Sequence, residues 1–242
     1  MKGMTQDASP LVERHTILSV IVGSRAFGLA TADSDTDRRG VYAAPTEDFW
    51  LLDKPPAHLD GPRPEQFSWE AERFCTLALA GNPGILEALH SPLVERLTPL
   101  GEELRDLSGA FLSRQVHRTY GRYAAAQLAK AEVRRRRGAG VRGKPLMHLL
   151  RLLISGAGLL ETGSLTLDVG EHRDRLLAVR RGEVPWEEIT AWAGRLESRL
   201  DAAYAAGPPL PDRPDRARVE RWLVSVRRRC LTGEATKAGS AP

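Results

Sequence analysis

An apolar, β-branched run, HTILSVIVGS, ends at Gly23-Ser24, and three aspartates at alternating positions, Asp33, Asp35 and Asp37, lead soon afterwards into a second run, DTDRRGVYAAP. The first run has the content of a buried strand feeding a glycine turn. The second carries the two-residue alternation of another strand and is stopped by Pro45. RAFGLA between them leaves room for only a short helix, and EQFSW, Glu65 to Trp69, is a third strand candidate. DKPPAHLDGPRPE, rich in proline, reads as a loop.

From Glu70 the period changes. EAERFCTLALAG has apolar residues at helical spacing and stops at Gly81-Asn82-Pro83, and GILEALHSPL continues as a short helix. The long segments EELRDLSGAFLSRQVHRTYGRYAAAQLAKAEVRRRR, KPLMHLLRLLISGAGLLETG, PWEEITAWAGRLESRLDAAYAAG and DRARVERWLVSVRRR each carry an apolar stripe between breakers. The expected fold is therefore α+β: an α/β unit over residues 1–100, a mainly helical region over 101–230, and a tail over 231–242 of disorder-like composition.

A chain of 242 residues, 42% hydrophobic, can bury a substantial core. No apolar run approaches the ~20 residues of a membrane span, and MKGMTQDASP lacks the apolar centre of a secretory signal, so a cytoplasmic protein without membrane partners is expected. The two cysteines, Cys75 and Cys230, have no ligand-like spacing and argue against a disulfide framework or a zinc site. A net charge of +4, carried largely by arginine, admits a polyanionic partner, although base bias produces the same composition.

The aspartates exclude two familiar loops. An EF-hand needs glycine at its sixth position and glutamate at its twelfth, where this chain has Arg38 and Ala44. A phosphate-binding P-loop needs lysine and a hydroxyl residue where GSRAFGLA has Leu29 and Ala30. An extended segment remains: Asp35 and Asp37, two apart, leave the same face, where hard oxygen ligands converge on one or two Mg²⁺ ions. Such a site suits in-line displacement at phosphorus, with the Gly23-Ser24 turn directing its N–H groups toward a nucleotide's phosphates.

The stretch GSRAFGLATADSDTDRRGVY resembles the Gly-Ser and Asp-x-Asp signature of the DNA polymerase β-type nucleotidyltransferase superfamily. It is most similar to a bacterial branch of predicted nucleotidyltransferases that includes RNA-ligase-associated RNA-repair proteins. FCTLALAGNPGILEALHSP and KPLMHLLRLLISGAGLLETG are similar to further segments of that branch, so the resemblance spans most of residues 15 to 230. It implies a small mixed β-sheet and metal-dependent transfer of a nucleoside monophosphate from an NTP to an acceptor, with Mg²⁺ or Mn²⁺ as cofactor. Asp35 and Asp37 match its metal-binding pair. A third carboxylate is expected on a following strand, with Glu65 the candidate and Glu70 its rival.

Other residues carry two readings each. Arg39 shares a face with the acid pair and either binds phosphate or balances the carboxylates; Arg25 either reaches triphosphate or lies in solvent. Asn82 reads as a helix-ending or turn residue and Glu87 as a solvated or capping side chain. Lys144, His148 and Arg151 fall on one helical face, a basic row suited to NTP or acceptor phosphates, unless His148 is simply a satisfied core residue. Tyr120 and Tyr123 either stack a base or belong to the core. The run from Arg134 to Lys144 can follow an RNA backbone or form a solvated basic loop. RNA is the preferred acceptor class; AMP transfer to a protein or small molecule, or a non-catalytic nucleotide- or RNA-binding module, are the alternatives.

Overall fold

A computed structural model of the chain describes residues 8–140 and 142–231. Helix α1 (Ala8–His15) leads into β1 (Thr16–Ile21), the strand read from the first apolar run. β2 (Arg38–Tyr42) follows the aspartates, and β3 (His58–Asp60), β4 (Gln66–Glu70) and β5 (Val94–Leu97) complete a sheet of order β3-β4-β2-β1-β5. β2 and β4 run parallel and the other pairs antiparallel, so the sheet is mixed. β3 lies inside the segment expected to be loop, and β5 and α1 carry no sequence signal of their own: every residue of β5 is exposed, which erases the alternation a half-buried strand displays.

Helices α2 (Ala71–Leu79) and α3 (Pro83–His90) cover the sheet. Each starts where a side chain accepts an otherwise unpaired first-turn amide: Glu70 from Glu72, and Asn82 from Ile85 with Pro83 at the first helical position. The long segment expected to be continuously helical from residue 102 breaks instead into α4 (Pro99–Asp106), a 3₁₀ turn and α5 (Val116–Arg136). α6 (Gly143–Thr162) is the buried centre of the helical half, with Leu149, Leu150, Leu152, Leu153, Leu159 and Leu160 all inside. At roughly 1.5–3 kcal/mol per buried leucine, this face dominates the stability of the half. Gly163, at φ +74, ends it with a left-handed cap whose N–H returns to the Leu159 carbonyl.

α7 (Arg173–Arg181), α8 (Trp186–Ala205) and α9 (Arg216–Leu231) complete the layer. α9 folds back onto the sheet: Arg227 binds Glu70 at 2.7 and 3.0 Å and lies over Phe49, and Arg229 binds Glu103. One apolar core runs without a break from Ile17 of β1 to Val226 of α9. Leu231 belongs to α9, and the rest of the expected tail lies outside the described residues. No helix among the described residues is long and apolar enough to cross a membrane.

Candidate functional site

The antiparallel register sets Val20 opposite Arg39 and Ile21 opposite Arg38, and one more bond, from the Val22 N–H to the Asp37 carbonyl at 2.9 Å, extends the ladder past both strand ends. The turn leaving β1 and the acid segment entering β2 are thereby held side by side. Gly23 sits at φ +69, and a Cβ there would overlap the Asp37 carboxylate, so only glycine permits both the turn and the approach.

Residues 23–29 form consecutive turns rather than the expected short helix. Phe27 N–H reaches the Gly23 carbonyl and Leu29 N–H the Ser24 carbonyl, and Gly28 at φ +69 prevents a second helical turn. The amides of Ser24, Arg25 and Ala26 donate to no acceptor among the described residues. Successive unpaired amides of this kind form an anion-binding concavity. Arg25 is exposed and outside the cleft lining, and its guanidinium donates to the carbonyls of Ser34 at 3.0 Å and Asp35 at 3.3 Å and holds the acid loop. From the helical half, Val169 N–H bonds the Phe27 carbonyl and Arg173 bonds the carbonyls of Gly28 at 2.8 Å and Ala30 at 3.4 Å.

Asp35 is exposed and Asp37 half-buried, in extended chain just before β2 rather than within it. Arg39 lies 3.9 Å from the Asp37 carboxylate and donates to the Arg38 carbonyl at 2.7 Å, so it balances the pair while still lining the cleft. Glu65 stands in the turn just before β4 with φ +55; its carbonyl accepts from the Arg38 N–H, and its side chain is exposed and outside the cleft. Glu70 is buried, caps α2 and is held by Arg227, far from the acid pair in role. Among the described residues no group of three His, Cys, Asp or Glu side chains is arranged to hold a metal ion.

A cleft of about 540 Å³ lies between the acid segment and α6. Gly23, Ser24, Asp35, Asp37, Arg39, Lys144, His148 and Arg151 all line it, so residues separated by more than a hundred positions in sequence meet in one place. The basic row on α6 is real but differentiated. Lys144, at the mouth, is exposed. Arg151, at the inner end, is fully buried and binds Glu87 through Nη1–Oε1 at 2.6 Å and Nη2–Oε2 at 3.3 Å, with its guanidinium carbon 3.7 Å from the centre of the Phe27 ring. His148 lies between them, its Nδ1 3.0 Å from Arg151 Nη2. Burial first, and the guanidinium second, pull its pKa down to about 4. Glu87 is thus neither solvated nor a cap.

Asn82 caps α3 and also donates to the Tyr123 hydroxyl; Tyr120 is fully buried core. The run from Arg134 to Lys144 covers the end of α5, an exposed turn and the start of α6, with Val141 outside the described residues. Part of it is tied down, Arg134 to the Gly140 carbonyl and Arg135 over Trp186. Sequence reasoning missed Arg180 on α7, which lines the cleft beside Arg142 and Lys144. Gly143 packs against the carbonyls of Val179 and Arg180, a close approach that α7's basic ending and α6's glycine start could have signalled. The cleft therefore has an acidic wall, an apolar floor that includes Val22, Phe27 and Met147, and a basic mouth.

A family model described as the RNA repair pathway DNA polymerase beta family matches residues 6–225. No curated protein and no solved structure matches the chain.

Proposed function

The chain belongs to the RNA repair pathway DNA polymerase beta family, and on that premise we propose that it is a metal-dependent nucleotidyltransferase moving a nucleoside monophosphate from an NTP to a hydroxyl at an RNA end. The observation that carries this reading is the cleft itself. Its lining joins two accessible carboxylates and Ser24, the first of three residues with unpaired amides, to the basic side chains of Arg142, Lys144 and Arg180. A triphosphate with its counter-ions needs both kinds of surface at once.

The donors fit a hard divalent cation, because Mg²⁺ is commonly held by one or two carboxylates together with substrate phosphates and water. Asp35 and Asp37 would hold it, and when bound it supplies charge neutralisation along the phosphates and lowers the cost of ionising the acceptor hydroxyl. The amides of Ser24, Arg25 and Ala26 bind phosphate oxygens, and Lys144 with Arg142 and Arg180 draws the β- and γ-phosphates toward the mouth. Arg39, 3.9 Å from the Asp37 carboxylate, balances its charge and orients it. The acceptor oxygen attacks the α-phosphorus in line as the bond to the bridging oxygen breaks, pyrophosphate leaves, and the hydroxyl proton is released to water. Positioning and charge neutralisation account for the rate. The exposed basic run beside the mouth supports an RNA acceptor through backbone contacts.

The test is incubation with Mg²⁺ or Mn²⁺, each α-labelled NTP in turn, and a panel of RNA ends. Label on RNA, lost in Asp35→Asn/Asp37→Asn, supports the reading. Label on protein or on a small molecule selects the alternative acceptor, and absence of NTP binding removes the reading. Glu65→Gln decides the third carboxylate: a loss equal to that of Asp37→Asn gives Glu65 a metal-binding role, and wild-type turnover leaves the pair sufficient.

A further inference from the structure

His148 sits in the cleft with a tautomer that the geometry dictates. A guanidinium has only donors, so the 3.0 Å contact from Arg151 Nη2 to His148 Nδ1 requires Nδ1 to be an unprotonated acceptor. The single proton of the neutral ring is then on Nε2. Arg151 cannot turn away to release Nδ1, because Glu87 binds it at two points and Phe27 covers its face. A second ring proton would have to replace a hydrogen bond and point at a guanidinium. Nε2 has no partner among the described residues and is not sealed from the cleft.

The neighbours reinforce this state. From α3 the ring shares the cleft with Glu87, already paired with Arg151; behind that pair lies Tyr120 of α5, whose hydroxyl burial holds neutral. Arg180 of α7, Arg142 and Lys144 at the start of its own helix, and Arg39 of β2 are cationic, and Asp35 and Asp37 line the same cleft. The lowered pKa agrees with the geometry.

We propose that His148 is a fixed, neutral Nε2–H donor that reads an acceptor atom of the nucleoside part of the bound nucleotide, with Arg151 and Glu87 as its positioning residues. This rests on the nucleotidyltransferase reading. The nucleoside, not the triphosphate, is the partner because the phosphates already have Lys144, Arg142, Arg180 and the turn amides. His148 instead stands beside the apolar floor formed by Phe27 and Met147. A desolvated single donor discriminates by leaving itself unpaired when the ligand lacks an acceptor there.

Two measurements on the full chain test this. Imidazole ¹⁵N correlation spectra, with His148→Gln as the assignment control, should give the Nε2–H neutral tautomer from pH 5.5 to 8.5. In Glu87→Gln/Arg151→Met, which removes the guanidinium, the ring should regain mixed tautomers and take up its second proton at a higher pH than in the wild type, burial still holding it below the ordinary value. Calorimetry then compares Mg²⁺-NTP with Mg²⁺-tripolyphosphate. His148→Leu should weaken NTP binding about 10- to 100-fold, the cost of one unmade buried hydrogen bond, and leave tripolyphosphate binding unchanged, whereas His148→Gln should recover most of the loss. Protonation of the ring near its ordinary value, or equal loss of both ligands in His148→Leu, would overturn the assignment while leaving nucleotidyl transfer standing. Failure of the wild type to bind either ligand would overturn both.

Discussion

Replacing Glu87 by glutamine leaves Arg151 charged, fully buried and without its counter-ion. The carboxylate supplies two of the guanidinium's three polar contacts, at 2.6 and 3.3 Å, and the third partner, His148 Nδ1, is neutral. Breaking a buried pair in this way costs ~3–5 kcal/mol. The Phe27 face, 3.7 Å from the guanidinium carbon, goes on supplying the ~2 kcal/mol that a desolvated cation–π contact gives, which argues for the lower end. Against a total of roughly 5–15 kcal/mol, a loss of about 3 kcal/mol is a large fraction. It should lower Tm by roughly 6–12 °C in a domain of this size. Urea unfolding followed by tryptophan fluorescence reads the loss directly, with an unchanged m value showing that the transition is the same one. The double variant Glu87→Gln/Arg151→Met carries no buried charge and should regain most of the stability. A single variant within about 1 kcal/mol of wild type, or a double variant no better than the single, would refute the claim that the guanidinium is cut off from water.

Gly23→Ala should cut nucleotidyl transfer by roughly 10²-fold, because the new Cβ displaces the Asp37 carboxylate by a distance that matters for catalysis; its cost in thermal stability should stay near the ~1–3 kcal/mol of a strained left-handed residue. Asp35→Asn and Asp37→Asn should each lower metal-dependent turnover by about 10³-fold, several kcal/mol of charge stabilisation, with Tm nearly unchanged for the exposed Asp35. The folded protein holds His148 neutral down to about pH 4, whereas the unfolded chain takes up its proton near 6.5. Stability is therefore fully present above about pH 6.5 and falls as the pH drops toward 4, by about 3 kcal/mol from this residue. His15 and His90, also lowered by burial, add in the same direction, and His148→Gln should flatten the curve. Arg134→Gln/Arg137→Gln should weaken RNA binding and reduce the salt dependence of Kd by about 0.7 in log–log slope for each phosphate no longer neutralised, with NTP binding unaffected.

The strands that frame the acid pair were legible because both are short runs of β-branched residues ending at glycine or proline, and α6 because its leucines keep helical spacing over its length. What escaped was set by partners distant in the chain. Glu87 looks like a capping residue until Arg151, 64 positions later, is seen to meet it. The spacing of Lys144, His148 and Arg151 correctly predicts a shared face, but a row has two ends, and only packing decides that the inner one faces Glu87 and Phe27 while the outer one meets solvent. RAFGLA has helical residues yet forms turns, because Gly28 is needed at a positive φ and its carbonyl is claimed by Arg173, 145 positions away. β5, exposed along its whole length, joins the sheet through backbone bonds that leave no mark on side-chain pattern.

The anchoring of residues 27–30 by Val169 and Arg173 orders events on the ribosome. β1 can pair with β2 as soon as both have emerged, but the turn beside them gains its outer anchors only after α6 has passed and α7 has begun, and Glu70 waits 157 residues for Arg227. Each closure spans a long loop, whose entropic cost grows slowly with length but must be met before the contact rewards it. A nascent chain therefore carries the acid pair long before it carries a finished cleft. A chain that stops before α6 has the acid pair without Lys144, His148 and Arg151, and one that stops before α7 lacks Arg180 and the anchor that Arg173 gives the turn.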